Sequence, residues 1–126
     1  GLKPAPVLCA DTTVALGRVI LGKPENEQDA VRILKTLSGQ THRVLTAVAV
    51  ASGRRRSLSV SVSKVTFAPM KLSEIKAYVA TGEPFGKAGA YGIQGMAAAY
   101  ISDIQGSYTG IMGLPLFETA ELLKTI

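Results

Sequence analysis

Two hydrophobic periodicities divide the chain into strand-like and helix-like segments. Pro6 to Ala10 is a short apolar run leading into Asp11, and Thr13 to Leu16 continues with β-branched and apolar residues up to Gly17; both read as strand or strand edge. Gly22-Lys23-Pro24 breaks that pattern. Ala30, Ile33, Leu34 and Leu37 then recur at helical spacing and stop at Ser38-Gly39, which predicts a helix from about Asn26 to Leu37. From Thr41 to Ala51, the side chains Val44, Val48 and Val50 predict a buried strand. Leu58, Val60, Val62, Val65 and Phe67 predict a second, with a register irregularity near Ser63-Lys64. The link from Ser52 to Ser57 makes the two an antiparallel hairpin. Serines alternate with Leu or Val from Ser57 to Ser63, so one face of that strand should meet solvent or another polar layer.

Beyond the hairpin, Ile75, Ala77, Tyr78 and Val79 predict a helix ending at Thr81-Gly82, with Pro84 preventing its continuation. A glycine-rich passage follows from Gly86 to Gly95. Ala97 to Ile104 reads as a further strand, and Gly106 to Gly113 as a loop. Leu114 to Ile126 reads as a terminal helix with Pro115 in its first turn and Leu116, Ala120 and Leu123 on one face. Strands interleave with helices, so the expected class is α/β or α+β around a mixed sheet. There are no internal repeats and no linker, and 126 residues suit one domain.

Composition narrows this picture. Hydrophobic residues make up 47% and charged residues 18%, the balance of a chain that folds. Fourteen Lys and Arg against nine Asp and Glu give a formal charge of +5, which favours an anionic partner. The densest basic run, Arg54-Arg55-Arg56, lies between the two hairpin strands without an aromatic platform, and reads as a solvated tip rather than a nucleic-acid surface. Cys9 is the only cysteine, so no disulfide within the chain and no cysteine metal cluster can form. The longest apolar run, Val44 to Ala51, is far too short for a membrane helix, and the first residues lack the form of a secretory signal. A cytoplasmic protein away from the membrane is expected.

Several residues carry candidate chemistry. Asp11 follows an apolar run and precedes two threonines, an acidic group at an expected strand end that either caps a turn or does chemistry. Lys23, between Gly22 and Pro24, sits on a rigid turn that aims an ammonium, and an ammonium is a point charge suited to phosphate. The stretch Lys87-Ala88-Gly89-Ala90-Tyr91-Gly92-Ile93-Gln94-Gly95 combines three glycines that permit close backbone approach with one cation and one side-chain amide. It is not a Walker loop, because no Gly-Lys-Ser/Thr ends it. His42, the lone histidine, has no second His or Cys with which to hold zinc and reads as structural or peripheral. Tyr78, Tyr100 and Tyr108 read as packing residues.

Taken in order, Ala10-Asp11-Thr12, Gly22-Lys23-Pro24, Leu37-Ser38-Gly39-Gln40-Thr41-His42, Thr81-Gly82-Glu83-Pro84, Lys87 through Gly95 and Gly113-Leu114-Pro115-Leu116 resemble the Maf family, also called septum formation proteins. The Ala-Asp-Thr and Tyr-Gly-Ile-Gln versions resemble the branch acting on dTTP and UTP rather than the one acting on 7-methyl-GTP. The resemblance implies an α/β fold similar to inosine triphosphate pyrophosphatases, with a mixed, twisted sheet flanked by helices and a cleft between two lobes. It implies hydrolysis between the α- and β-phosphates, with a divalent cation, Mg²⁺ or Mn²⁺, as cofactor. Asp11 is then the catalytic carboxylate, accepting a proton from water or holding the metal. Lys23 contacts the triphosphate, Lys87 assists on the phosphate side, and Thr12 and Gln94 set the base preference. Family members begin with a strand and a Ser-x-Ser-Pro-Arg-Arg loop, followed by a further acidic residue of the site, and this chain starts after them. The expectation is therefore a single Maf-like domain over residues 1–126 without that strand and loop, weakly active or inactive by itself. Its open sheet edge would favour pairing between copies, as in a homodimer. The competing expectation is a non-catalytic module that keeps nucleotide affinity and acts through partners in cell division.

Overall fold

A computed structural model describes residues 6–125. Five strands form one sheet in the order β2-β1-β3-β4-β5, with β1 at Val7–Leu16, β2 at Val19–Leu21, β3 at Thr41–Ser52, β4 at Arg55–Phe67 and β5 at Ile101–Gln105. Helices α1 (Glu27–Leu37), α2 (Leu72–Ala80), α3 (Tyr108–Met112) and α4 (Leu116–Leu123) accompany it. The α/β class with flanking helices is what the structure shows. Each ladder among the described residues is antiparallel, so the parallel pairing of a mixed sheet is not found there.

The helix expected before Thr41 forms for the expected reasons. Asn26 caps it by accepting from the Asp29 amide at 2.8 Å, and Ala30, Ile33, Leu34 and Leu37 make up its buried face. At the start of α2, the Glu74 carboxylate accepts from the Lys71 amide at 2.9 Å, so a basic residue at that position is capped from inside the helix. The hairpin turn is tighter than the expected link: Gly53-Arg54 joins β3 and β4, and Arg55 reaches Thr125 with a hydrogen bond of 3.2 Å.

Four expectations need correction. The register of β3 on β4 is continuous through Ser63-Lys64, and the irregularity lies instead between Thr66 and Phe67, where β5 pairs. Leu58, Val60 and Val62 are not core residues; they are 68%, 52% and 52% exposed on the outer face of β4. Their serine neighbours turn inward, with Ser61 and Ser63 buried, because small polar side chains let α3 and its approach lie close on the sheet. The Ser63 hydroxyl accepts from the Ser107 amide at 2.9 Å, which replaces apolar packing by a bond to backbone. The expected strand from Ala97 begins instead as a 3₁₀ turn over Met96–Tyr100, and only Ile101–Gln105 pairs with β4. The expected loop from Gly106 to Gly113 contains α3, capped by the Ser107 hydroxyl, which accepts from the Gly110 amide at 3.0 Å.

The terminal helix also differs. It runs from Leu116 to Leu123, and Ile126, which was expected to end it, lies outside the described residues. Leu116, Ala120 and Leu123 do not form a buried face; Thr119 and Pro115 are the buried positions. A helix that meets the serine side of β4 through a small residue keeps its large side chains outside. The short β2 was not foreseen, since three residues are too few to display a period.

The core lies between the sheet and α1 and α2, with Val14, Ile33, Leu34, Leu37, Val44, Phe67 and Ile75 at its centre. His42 is inside it, 1% exposed, with Nε2 2.6 Å from the Tyr91 hydroxyl and its ring stacked 5.6 Å from Phe67. Burial lowers its pKa to about 4 from 6.5. The unfolded chain therefore takes up a proton that the folded chain refuses between those two values. Stability should be complete above pH 6.5 and fall by on the order of 3 kcal/mol as pH drops to 4. Urea melts across that range should show this acid loss, and His42→Gln should flatten it.

Candidate functional site

A cavity of about 590 Å³ opens between β1, the Gly22-Lys23-Pro24 turn, the glycine-rich passage and α3. This is the size of a small-molecule site. Asp11, Thr12, Lys23, Lys87 and Gln94 all line it. The structure thus brings the five sequence-derived candidates to one hollow, although 83 positions separate the first from the last in sequence.

Each arrives by a local cause. Thr12 is an inward residue of β1, half-buried, with its hydroxyl 3.1 Å from that of Thr46 on β3. Asp11 is not at a strand end as expected: β1 runs unbroken through it, and it pairs with Ala47. Strand pleating alternates its side chain with those of Thr12 and Val14, and it lines the hollow all the same. It is exposed.

Lys23 is brought alongside the glycine-rich passage by a backbone bond, the Gly89 amide donating to the Gly22 carbonyl at 3.1 Å. That contact depends on glycine. Gly89 has φ +76, and a β-carbon there would stand 3.0 Å from a Val14 methyl. Lys87 donates to the Glu83 carbonyl at 2.6 Å, which fixes the ammonium at the mouth of the loop with two N–H groups left for a ligand. Gln94 is exposed at the tip of a turn closed by the Gly95 amide on the Gly92 carbonyl at 3.1 Å, and its Nε2 donates to the Met112 sulfur on α3.

Two residues that sequence reasoning did not place at the site support that turn. Glu83 lines the cavity, and its carboxylate accepts from the Tyr78 hydroxyl at 2.7 Å and from the Met96 amide at 3.2 Å. The Tyr78 hydroxyl in turn accepts from the Gly92 amide at 3.3 Å. Both ends of the Gln94 turn are therefore tied to one carboxylate-phenol pair. Burial, helped by the Glu83 carboxylate, raises the Tyr78 pKa and keeps the phenol protonated as a donor. A β-carbon on Gly95 would fall inside the Glu83 carboxylate, so Gly95 and Glu83 exclude any bulk between them. The available signal was Glu83 within the motif Thr81-Gly82-Glu83-Pro84, but a spacing of five residues across a helix end carries no period that would link it to Tyr78.

The fixed charges of the hollow are two ammonium groups and two carboxylates. Glu83 is occupied by its bonds, which leaves Asp11 as the carboxylate open to a cation. Among the described residues no group of three or more His, Cys, Asp and Glu side chains gathers. A divalent ion here would draw most of its oxygens from phosphate and water, the usual habit of Mg²⁺. Among the described residues no helix is long and apolar enough to cross a membrane.

A family model described as Maf-like protein matches residues 2–126. The chain is 68% identical over 124 residues to a dTTP/UTP pyrophosphatase of Polaromonas sp., a match that takes in 98% of this chain and 61% of the relative. It is 61% identical over 125 residues to the dTTP/UTP pyrophosphatase of Albidiferax ferrireducens, covering 99% of this chain and 62% of that one. The dTTP/UTP pyrophosphatase of Cupriavidus metallidurans is 60% identical over 124 residues, with 98% and 62% covered. The chain thus spans about three fifths of the length of the relatives it matches.

Gly89→Ala must strain φ and displace Val14, and Gly95→Ala must displace the Glu83 carboxylate. Each substitution should cost roughly 1–3 kcal/mol and lower the melting temperature by several degrees. Thermal unfolding followed by circular dichroism checks this; unchanged melting for either variant contradicts the packing described.

Proposed function

The chain belongs to the Maf family, and on that footing we propose that it acts as a nucleoside triphosphate pyrophosphatase on dTTP and UTP, releasing the monophosphate and pyrophosphate. The observation that carries the reading is the single hollow lined by Asp11, Thr12, Lys23, Lys87 and Gln94. Lys23 and Lys87 supply the positive charge that a triphosphate needs, and their loops are tied to the scaffold before a ligand arrives. Gln94 and Thr12 offer neutral donors and acceptors suited to a pyrimidine edge. Asp11 is the group available to take a proton from an attacking water or to ligate Mg²⁺ or Mn²⁺. Such an ion, when bound, neutralises charge on the phosphate oxygens in the transition state. The names of the relatives support dTTP and UTP as substrates.

Pyrophosphate release from dTTP and UTP with Mg²⁺ or Mn²⁺ should fall at least about 10²-fold in Asp11→Asn. Lys23→Ala should raise KM about tenfold, the effect of losing one charge-assisted phosphate contact. An Asp11→Asn rate equal to that of the unaltered protein would sink the catalytic assignment. Nucleotide binding without any pyrophosphate release would favour the non-catalytic module instead.

A further inference from the structure

Thr46 is fully buried at the centre of β3, yet it is a threonine where its inward neighbours Val44 and Val48 are apolar. Its hydroxyl lies 2.6 Å from the Gly110 carbonyl oxygen of α3. Two oxygens at that distance must share a proton, a carbonyl has none, and so the single Thr46 proton is committed to Gly110. The Thr12 hydroxyl, 3.1 Å from the Thr46 oxygen, then has only one way to bond to it, which is to donate. The direction of the whole relay is fixed: Thr12 donates to Thr46, and Thr46 donates to Gly110. Thr12 has spent its only proton inward.

We infer that Thr46 is a positioning residue that fixes the polarity of the Thr12 hydroxyl, so that the cavity presents a pure hydrogen-bond acceptor there and selects ligands that offer an N–H donor. A free serine or threonine hydroxyl rotates to suit either partner and discriminates little. Locked as an acceptor, the same group rejects a ligand that presents a carbonyl or a bare ring nitrogen, because one of the two lone pairs stays unpaired on desolvation. The imide edge of uracil and thymine has one N–H between two carbonyls. It matches an acceptor at Thr12 together with the one Gln94 amide N–H that the Met112 sulfur leaves free in the same hollow. The Thr46 relay deepens the dTTP and UTP reading and rests on it.

Cytosine carries a bare ring nitrogen at N3 where uracil carries the N–H. Calorimetric titration with UTP and with CTP reads the selectivity as a ratio of affinities. The unaltered chain should bind UTP about tenfold or more tightly than CTP. Thr46→Val frees the Thr12 hydroxyl to rotate and donate to that nitrogen and should reduce the ratio at least about fivefold, whereas Thr46→Ser, which keeps the proton, should preserve it. Thr12→Val leaves the buried Thr46–Gly110 bond in place and should reduce the ratio equally, which keeps the test intact if Thr46→Val fails to fold. A ratio that survives both Thr46→Val and Thr12→Val, or Thr12→Val alone where the former is unfolded, overturns the relay while leaving the nucleotide reading untouched. A folded unaltered chain that binds neither ligand overturns both.

Discussion

The hollow exists because the glycine-rich passage can lie directly on β1. At Gly89 the backbone comes within van der Waals range of Val14 with no side chain between, and its amide is then close enough to bond the Gly22 carbonyl. One contact thereby joins three elements that are distant in sequence: the strand carrying Asp11 and Thr12, the turn carrying Lys23, and the passage carrying Lys87 and Gln94. A β-carbon at Gly89 would stand 3.0 Å from a Val14 methyl and force one of them to give, loosening the contact that joins these elements. The remaining supports, Glu83 with Tyr78 under Gln94 and His42 against Tyr91, refine a geometry that this approach makes possible.

Those supports share a physical character. Each sets a side-chain polar group of the scaffold in a hydrogen bond to the loop, so the loop is held by directional bonds and not only by apolar packing. Tyr91 illustrates the economy of the arrangement. Its ring packs edge-on to Phe67 at 4.9 Å while its hydroxyl meets the His42 imidazole, and burial keeps that imidazole neutral at ordinary pH. A charged histidine there would have to be hydrated, and the loop would lift with it.

Much of the scaffold was legible in the sequence because it follows periodic rules. The α1 face, its Asn26 start and its Ser38-Gly39 end, and the β3–β4 hairpin all express a period of 3.6 or 2 bounded by turn residues. What misled was the assumption that apolar side chains mark the inner face. On β4 up to Ser63 the inward residues are serines and the outward ones are Leu58, Val60 and Val62, since the partner on that side is the backbone of α3 and not the hydrophobic layer that Val65 and Phe67 meet further on. The same cause hid the α4 geometry, where Thr119 rather than a leucine meets the sheet. Of the site, Lys23, Lys87, Gln94 and the two residues Asp11 and Thr12 were nameable from residue type and motif. Asp11's place inside a continuous strand was not, because the threonines after it looked like the start of a new segment. Glu83 and Tyr78 were invisible as a pair, as only the fold brings their bond under Gly92 and Gly95.

The small inward residues of β3 and β4 tie these observations together. A leucine or valine in place of Ser61 or Thr46 would bury more apolar surface, worth up to a few kcal/mol per side chain, and hold α3 further off. The chain forgoes that gain along a row that runs directly behind the hollow. What it obtains is a helix close enough to hand a backbone carbonyl to Thr46, and through Thr46 to set which way the Thr12 proton points. Buried polar packing that looks inefficient as core is thus consistent as part of a recognition surface. The polarity of a hydroxyl facing the ligand is decided two layers below it, by a carbonyl that the ligand never touches.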